Sequence, residues 1–188
     1  MIFRDDLLRV RQLYKLKNIE RANSVGYRKE SSAEHSWSCL ILADYFLSVD
    51  NCVLDRLKVY ELLLYHDLVE IEAGDVCISK EELRKQKKEL ELEAMQVLKE
   101  KIPVQLKEKF KDLFLEFEAG RTKEARFAKA IDALDAFIHE IDYKEDWKGW
   151  SEKFVRSKKG PLFEEFSDLK EFFEEALRYC AENGYFNE

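Results

Sequence analysis

Only three histidines occur in the 188-residue chain, and two of them sit beside or in register with carboxylates. His66 is followed at once by Asp67 inside an apolar stretch, RLKVYELLLYHDLVE. An imidazole and a carboxylate are costly in such a setting unless something pairs with them. For an isolated His-Asp pair the ordinary account is a core histidine bonded to its own aspartate. His35, in AEHSWSCL, changes that account, because its helical position should face inward with Cys39 and Leu42. Asp132, in AKAIDALD, falls on the apolar side of another helix with Ala128 and Ile131. Two neutral imidazoles and two carboxylates form a mixed nitrogen and oxygen donor set that Mn, Co, Fe, Ni or Zn accepts. Four protein ligands on an octahedral ion leave positions for water and substrate.

Helices must bring these positions together, and a bundle core is where distant ligands can converge. Leu7, Leu8, Val10, Leu13 and Tyr14 give an apolar face to a first helix from about Asp5 to Lys17. The segment NIERANSVGYRKE shows no period. Ser31 and Glu34 suit a capping box opening SAEHSWSCLILADYFL. Asp55 can cap RLKVYELLLYHDLVE, which is apolar nearly all round, reads as central, and ends near Ala73-Gly74. Ser79 and Glu82 repeat the capping box before a long charged helix to about Lys101. Its apolar positions are too sparse for a coiled-coil seam. Pro103 starts VQLKEKFKDLFLEFE, Gly120 ends it, and Thr122 caps KEARFAKAIDALDAFIHEI. Lys144 to Pro161 reads as a looser connection before a last helix from about Glu164 to Glu182. No run reads as a strand, and no repeat or linker is visible. The expectation is an all-α chain, one compact helical bundle over residues 1–188.

Six glycines and two prolines among 38% charged residues agree with long amphipathic helices. The net charge of -7 argues against nucleic acid as a partner, since phosphate neutralisation needs a basic face. It argues equally against a membrane surface. No stretch is long and apolar enough to span a bilayer, and MIFRDDLLRV carries acids early, unlike a signal peptide. Cys39, Cys52, Cys77 and Cys180 form no CxxC pair, which points to reduced thiols and a cytoplasmic setting.

The three segments AEHSW, HDLVEIEAGD and EARFAKAIDALD together resemble the HD-domain phosphohydrolase superfamily, in particular its 5'-deoxynucleotidase branch, over roughly Leu16 to Asp135. The resemblance implies a divalent ion (Mn, Co, Mg, Fe, Ni or Zn) on His35, His66, Asp67 and Asp132. It implies that Glu70 acts on the attacking water or the leaving group, and that Asp75 of the GD motif lies in the site. Arg21, in LKNIER, matches the Arg of an LKxxxR segment that contacts the substrate phosphate. Arg28 and Lys129 are further candidates for that charge. The implied activity is hydrolysis of (deoxy)nucleoside 5'-monophosphates to nucleoside and phosphate, by a homodimer acting on a small-molecule substrate. Other superfamily members cleave phosphodiesters, triphosphates or guanosine polyphosphates. A helical interaction protein with a relic site is the reading from another class. One departure bears on selectivity: the branch often places an aromatic after the Arg, where it excludes a ribose 2'-hydroxyl, and this chain has Ala22. His139 matches no ligand and reads as structural or exposed. Trp147 and Trp150 read as core, Cys77 as a candidate pocket residue, and Phe172, Phe173 and Leu177 as candidate dimer contacts.

Overall fold

A computed structural model describes residues 2–49, 53–75, 81–147 and 149–186, without the side chains of residues 2 and 81–87. Cys52, Cys77 and the Ser79 capping box lie outside the described residues. The elements are α1 (Ile2–Leu13), β1 (Glu20–Val25), β2 (Arg28–Ser31), α2 (Ser32–Val49), α3 (Arg56–Tyr65), α4 (Glu70–Ala73) and α5 (Glu81–Lys101). They continue as α6 (Val104–Ala119), α7 (Lys123–His139), α8 (Glu152–Lys159) and α9 (Ser167–Glu182), with short 3-10 turns between several of them.

The helical expectation holds because the local signals and the buried faces agree. Asp55 accepts from the Lys58 amide and Thr122 from the Ala125 amide, so α3 and α7 start where their caps stand. Gly120 closes α6 in the left-handed conformation at φ 59°. α2, α3 and α7 pack against one another, and α6 closes on α3 and α7. Leu62, Leu63, Phe110, Phe114, Phe127 and Phe137 fill the space between them. Burying each such side chain stabilises the fold by about 1.5–3 kcal/mol. α9 completes the core through Phe173, whose ring meets Phe137 edge-on at 5.4 Å. No helix among the described residues is long and apolar enough to cross a membrane.

Several expectations are corrected. β1 and β2 form an antiparallel hairpin where no strand was expected. Gly26, at φ 58°, is the first of the two loop residues, the position that a type II′ hairpin turn reserves for glycine. The register shifts between Glu20 and Ser24, so the strand bulges there. The first α-helix ends at Leu13 and passes into a 3-10 turn over Tyr14–Asn18. α3 does not run on through Glu70; it tightens into a 3-10 turn over His66–Val69. Nor is α3 covered all round, since Leu57 and Leu64 are exposed. The loose connection contains α8, capped by Ser151 on the Phe154 amide. Phe173 and Leu177 are core residues, and only Phe172 of that trio is partly exposed.

Candidate metal centre

Each of the three mutually packed helices brings a ligand type to one point. His35 is on the second turn of α2, His66 and Asp67 stand where α3 tightens, and Asp132 is midway along α7. Ligand atoms of His35, His66 and Asp132 lie within 4.8 Å of one another. Asp67 joins them, with Oδ1 3.2 Å from His66 Nε2 and Oδ2 3.8 Å from His35 Nε2. Cys39 is also near, at 3.7 and 3.6 Å from the two His35 ring nitrogens. Nearly equal distances put the sulfur over the ring face, off the Nε2 lone-pair axis. Burial pushes the Cys39 thiol up to about 12, which keeps it protonated. The oxygen of Asp67 is therefore the better fourth donor.

The donor atoms are set up to receive a cation. His66 Nδ1 donates to the Leu63 carbonyl at 2.7 Å, so Nε2 carries the lone pair. That Nε2 is buried and has no hydrogen-bond partner. His35 Nδ1 donates to Asp135 Oδ2 at 2.8 Å, which turns Nε2 toward Asp132 Oδ1 at 3.0 Å. Burial works against charge on His35, but the hydrogen bonds to Asp132 and Asp135 outweigh it and hold its pKa well above the usual value. Burial would raise Asp67 too, yet His66, His35 and Arg21 hold it at about 2. Asp132 is lowered in the same way, chiefly by its bond to His35. An ion can replace the His35 proton between these carboxylates. The residues present thus fit a divalent metal.

Asp135 received no role from the sequence. It sits three residues after Asp132 on the same face of α7, and its bond fixes the His35 ring. Loss of such an outer partner lowers metal affinity about 10–100-fold. Asp135→Leu, which keeps the bulk but cannot accept from His35, is expected to do the same, read by competition with a chelating dye; unchanged affinity would show that the ring is held by packing alone.

Glu70 lies beside the ligands. It is 2% exposed, and Ser32 Oγ donates to its Oε2 at 2.6 Å. Side chains three apart eclipse in a 3-10 turn, which aligns Glu70 with Asp67. Burial first, then Asp67 and Asp75, push the Glu70 carboxyl up to about 9. Asp75 lines the same cleft, a cavity of about 530 Å³, together with Lys129. Lys129 also lies over the Phe117 ring at 4.9 Å. Arg21 Nε donates to Glu30 Oε2 at 3.1 Å and its Nη1 to Asp67 Oδ2 at 3.5 Å. The bulge explains why Arg21, Ala22 and Asn23 all line the cleft, since a regular strand would turn alternate residues away. Arg28 is not brought there. It is exposed, makes a two-pronged pair with Glu34, and borders a different surface depression. His139 is structural: Nε2 donates to the Ser24 carbonyl at 2.8 Å and Nδ1 faces Glu30 at 3.4 Å. Trp147 is core, and Trp150 packs against that core while also lining the cleft.

A family model described as HD domain matches residues 13–170. The chain belongs to the HD-domain family. Among its relatives, 5'-deoxynucleotidase hdd1 of Schizosaccharomyces pombe is 28% identical over 126 residues, 65% of this chain and 62% of that protein. 5'-deoxynucleotidase HDDC2 of Xenopus laevis is 29% identical over 69% of this chain and 65% of that protein. The chain thus spans just under two thirds of these two relatives. HDDC2 of Danio rerio is 27% identical over 96% of this chain and 92% of its own length. The crystal structure of a predicted metal-dependent phosphohydrolase from Magnetospirillum magnetotacticum MS-1 superposes with a TM-score of 0.87 at 29% identity. The match covers 100% of this chain and 96% of that one. In this HD-domain chain the fold gathers the four residues to which the sequence resemblance pointed, His35, His66, Asp67 and Asp132.

Another group in the cleft ties folding to pH. Burial pushes the Glu140 carboxyl from 4.5 up to about 7, with Asp146 adding to it and Lys159 opposing. The folded state keeps this proton to a higher pH than the unfolded chain. Stability contributed here therefore falls as pH rises from about 4.5 through about 7. Glu140→Gln is expected to gain ~1–3 kcal/mol over the parent at pH 8 and almost nothing near pH 4.5. Urea unfolding at both pH values reads the difference, and parallel pH profiles would contradict it.

Proposed function

We propose that this chain is a metal-dependent phosphohydrolase that releases phosphate from (deoxy)nucleoside 5'-monophosphates. The whole chain would act as one HD-type unit, with His35, His66, Asp67 and Asp132 holding the ion. The observation that carries this reading is the buried, unpartnered Nε2 of His66 facing Asp67, with Arg21 alongside. When bound, the ion supplies a water of lowered pKa and positive charge for a phosphate oxygen. The chain's own groups do the rest. Arg21, held by Glu30 and Asp67, neutralises charge on the phosphoryl group, as electrostatic stabilisation requires. Glu70, held by Ser32, takes a proton from the attacking water or gives one to the leaving oxygen. Asp75 and Lys129 border the same space. The names of the HDDC2 and hdd1 relatives support a nucleotide substrate.

The deciding experiment strips metal and adds back Mn, Co, Mg or Zn singly, with a panel of ribo- and deoxyribonucleoside 5'-monophosphates. Metal-restored phosphate release is expected. No release with any metal would leave a different phosphorylated substrate or a relic site.

A cytoplasmic homodimer is part of this reading. Cys39 and Cys180 are free and buried, as suits a reducing compartment. Trp37, Ile41, Tyr45 and Val49 form an exposed stripe at every fourth residue of α2. That stripe is a better partner surface than α9. Ile41→Glu is expected to halve the mass seen by light scattering; a parent already monomeric would remove the proposal.

A further inference from the structure

Three polar groups in the cleft take no part in the chemistry above. Asn23 is 7% exposed, and its Nδ2 has no hydrogen-bond partner. Lys159 is 6% exposed; its Nζ donates to the Ala133 carbonyl at 2.7 Å and meets no carboxylate within 4 Å among the described residues. Glu140 is 9% exposed, and its carboxyl makes no hydrogen bond or ion pair among the described residues. Folded proteins leave very few buried polar groups unsatisfied, and burying a charge without a partner is costlier still. Of the three, Asn23 Nδ2 is the buried atom without a partner; with Lys159 and Glu140 it lines one cavity, a recess in which a ligand can supply the missing partner.

Their placement fits a ligand that begins at the metal end. Asp132, Ala133, Ala136 and Glu140 all line the cleft and follow one face of α7 into the 3-10 turn after it. At 1.5 Å per residue, Glu140 lies ~12 Å beyond Asp132. That is of the order of the length of a nucleoside monophosphate. The small side chains of Ala133 and Ala136 leave room between the two ends. The bulged strand presents Arg21 and then Asn23 on the opposite wall. The hydrogen bond from His139 to Ser24 ties that strand to the end of α7, next to both Asn23 and Glu140. The hairpin is held there further by Asp146, which accepts from the Ser24 amide at 2.9 Å and its hydroxyl at 3.1 Å. The backbone beside Asn23 is therefore held in place.

The recess differs in chemistry from the phosphate end. It holds one amide, one acid and one ammonium, with Trp150 and Leu162 on its wall. Burial raises the Glu140 carboxyl and lowers the Lys159 ammonium. Such a mixed set of donors and acceptors suits hydroxyl and base-edge groups.

We propose that this recess is a recognition site for the nucleoside part of the substrate, with the Asn23 amide bonding a sugar hydroxyl and Glu140 and Lys159 reading the groups beyond it. The inference rests on the monophosphate reading and deepens it. Ala22, beside Asn23, leaves space in which a ribose hydroxyl can reach the amide.

The test compares the full-length, metal-loaded chain with Asn23→Ala and Lys159→Met. Each is assayed on AMP, dAMP and p-nitrophenyl phosphate, and adenosine binding is measured by calorimetry. The expected result is a fall of about tenfold or more in the ratio of nucleotide to p-nitrophenyl phosphate kcat/KM, carried by KM. Adenosine binding should weaken to match. Asn23→Ala should melt no lower than the parent, because the amide has no partner to lose; Asn23→Leu repeats the test with the volume kept. An unchanged ratio with unchanged adenosine binding overturns the proposal. If no monoester is cleaved by any form, the phosphatase reading fails, and adenosine binding alone then decides whether the recess exists.

Discussion

Asp67→Ala is expected to lose bound metal and phosphate release together. The carboxylate stands against both histidines, at 3.2 Å from His66 Nε2 and 3.8 Å from His35 Nε2. It also anchors Arg21 at 3.5 Å. Its removal takes an oxygen donor from the ion and one of the two carboxylates that aim the guanidinium at the phosphate. The affinity loss should exceed the roughly 100-fold that removal of an outer partner costs. Metal analysis after desalting reads the first effect and phosphate release the second. Circular dichroism separates both from unfolding, since Leu62, Phe127 and the rest of the core do not depend on this side chain. Affinity in the parent should also rise with pH, because an ion must displace the proton that His35 holds so firmly. A variant that keeps stoichiometric metal and turns over would remove Asp67 from the ligand set.

The proposed ligands were legible in the sequence because each is a polar residue in an otherwise apolar helical setting. Helical periodicity alone places His35, Asp67 and Asp132 inward. The same logic contained Asp135, one turn beyond Asp132, but spacing cannot say which of two inward carboxylates faces the ion and which holds the histidine. The hairpin was not legible. ERANSV has no alternation of apolar and polar residues, and its pairing depends on Asp146, Tyr143 and His139, more than a hundred residues away. That omission hid what the bulge does, which is to let Ala22 line the cleft along with Arg21 and Asn23. It also misplaced Arg28, since a loop drawn without a register gives no direction to its side chains. Tightening of α3 at His66 was likewise invisible, because the apolar pattern runs on unbroken through Val69. Phe173 and Leu177 read as surface contacts only because nothing in the sequence shows that α9 packs on α7.

Glu70→Gln is expected to keep the metal and lose turnover. Glu70 makes no close contact with His35 or His66, its carboxylate is held by the Ser32 hydroxyl, and the amide preserves its size. The remaining amide oxygen can still accept from Ser32, which now bonds Oε2 at 2.6 Å. What the amide cannot do is exchange a proton with water or with a leaving oxygen. Loss of a positioned acid or base costs about 10²–10⁴-fold, and here the loss should fall on kcat with KM nearly unmoved. The metal-free protein supplies an independent check. Burial, Asp67 and Asp75 oppose a negative charge at this position, pushing its carboxyl up to about 9. A neutral amide there should not lower thermal stability. A folded, metal-loaded Glu70→Gln with full activity would mean that the proton passes elsewhere, and Asp75, on the same cleft wall, would then be the group to replace.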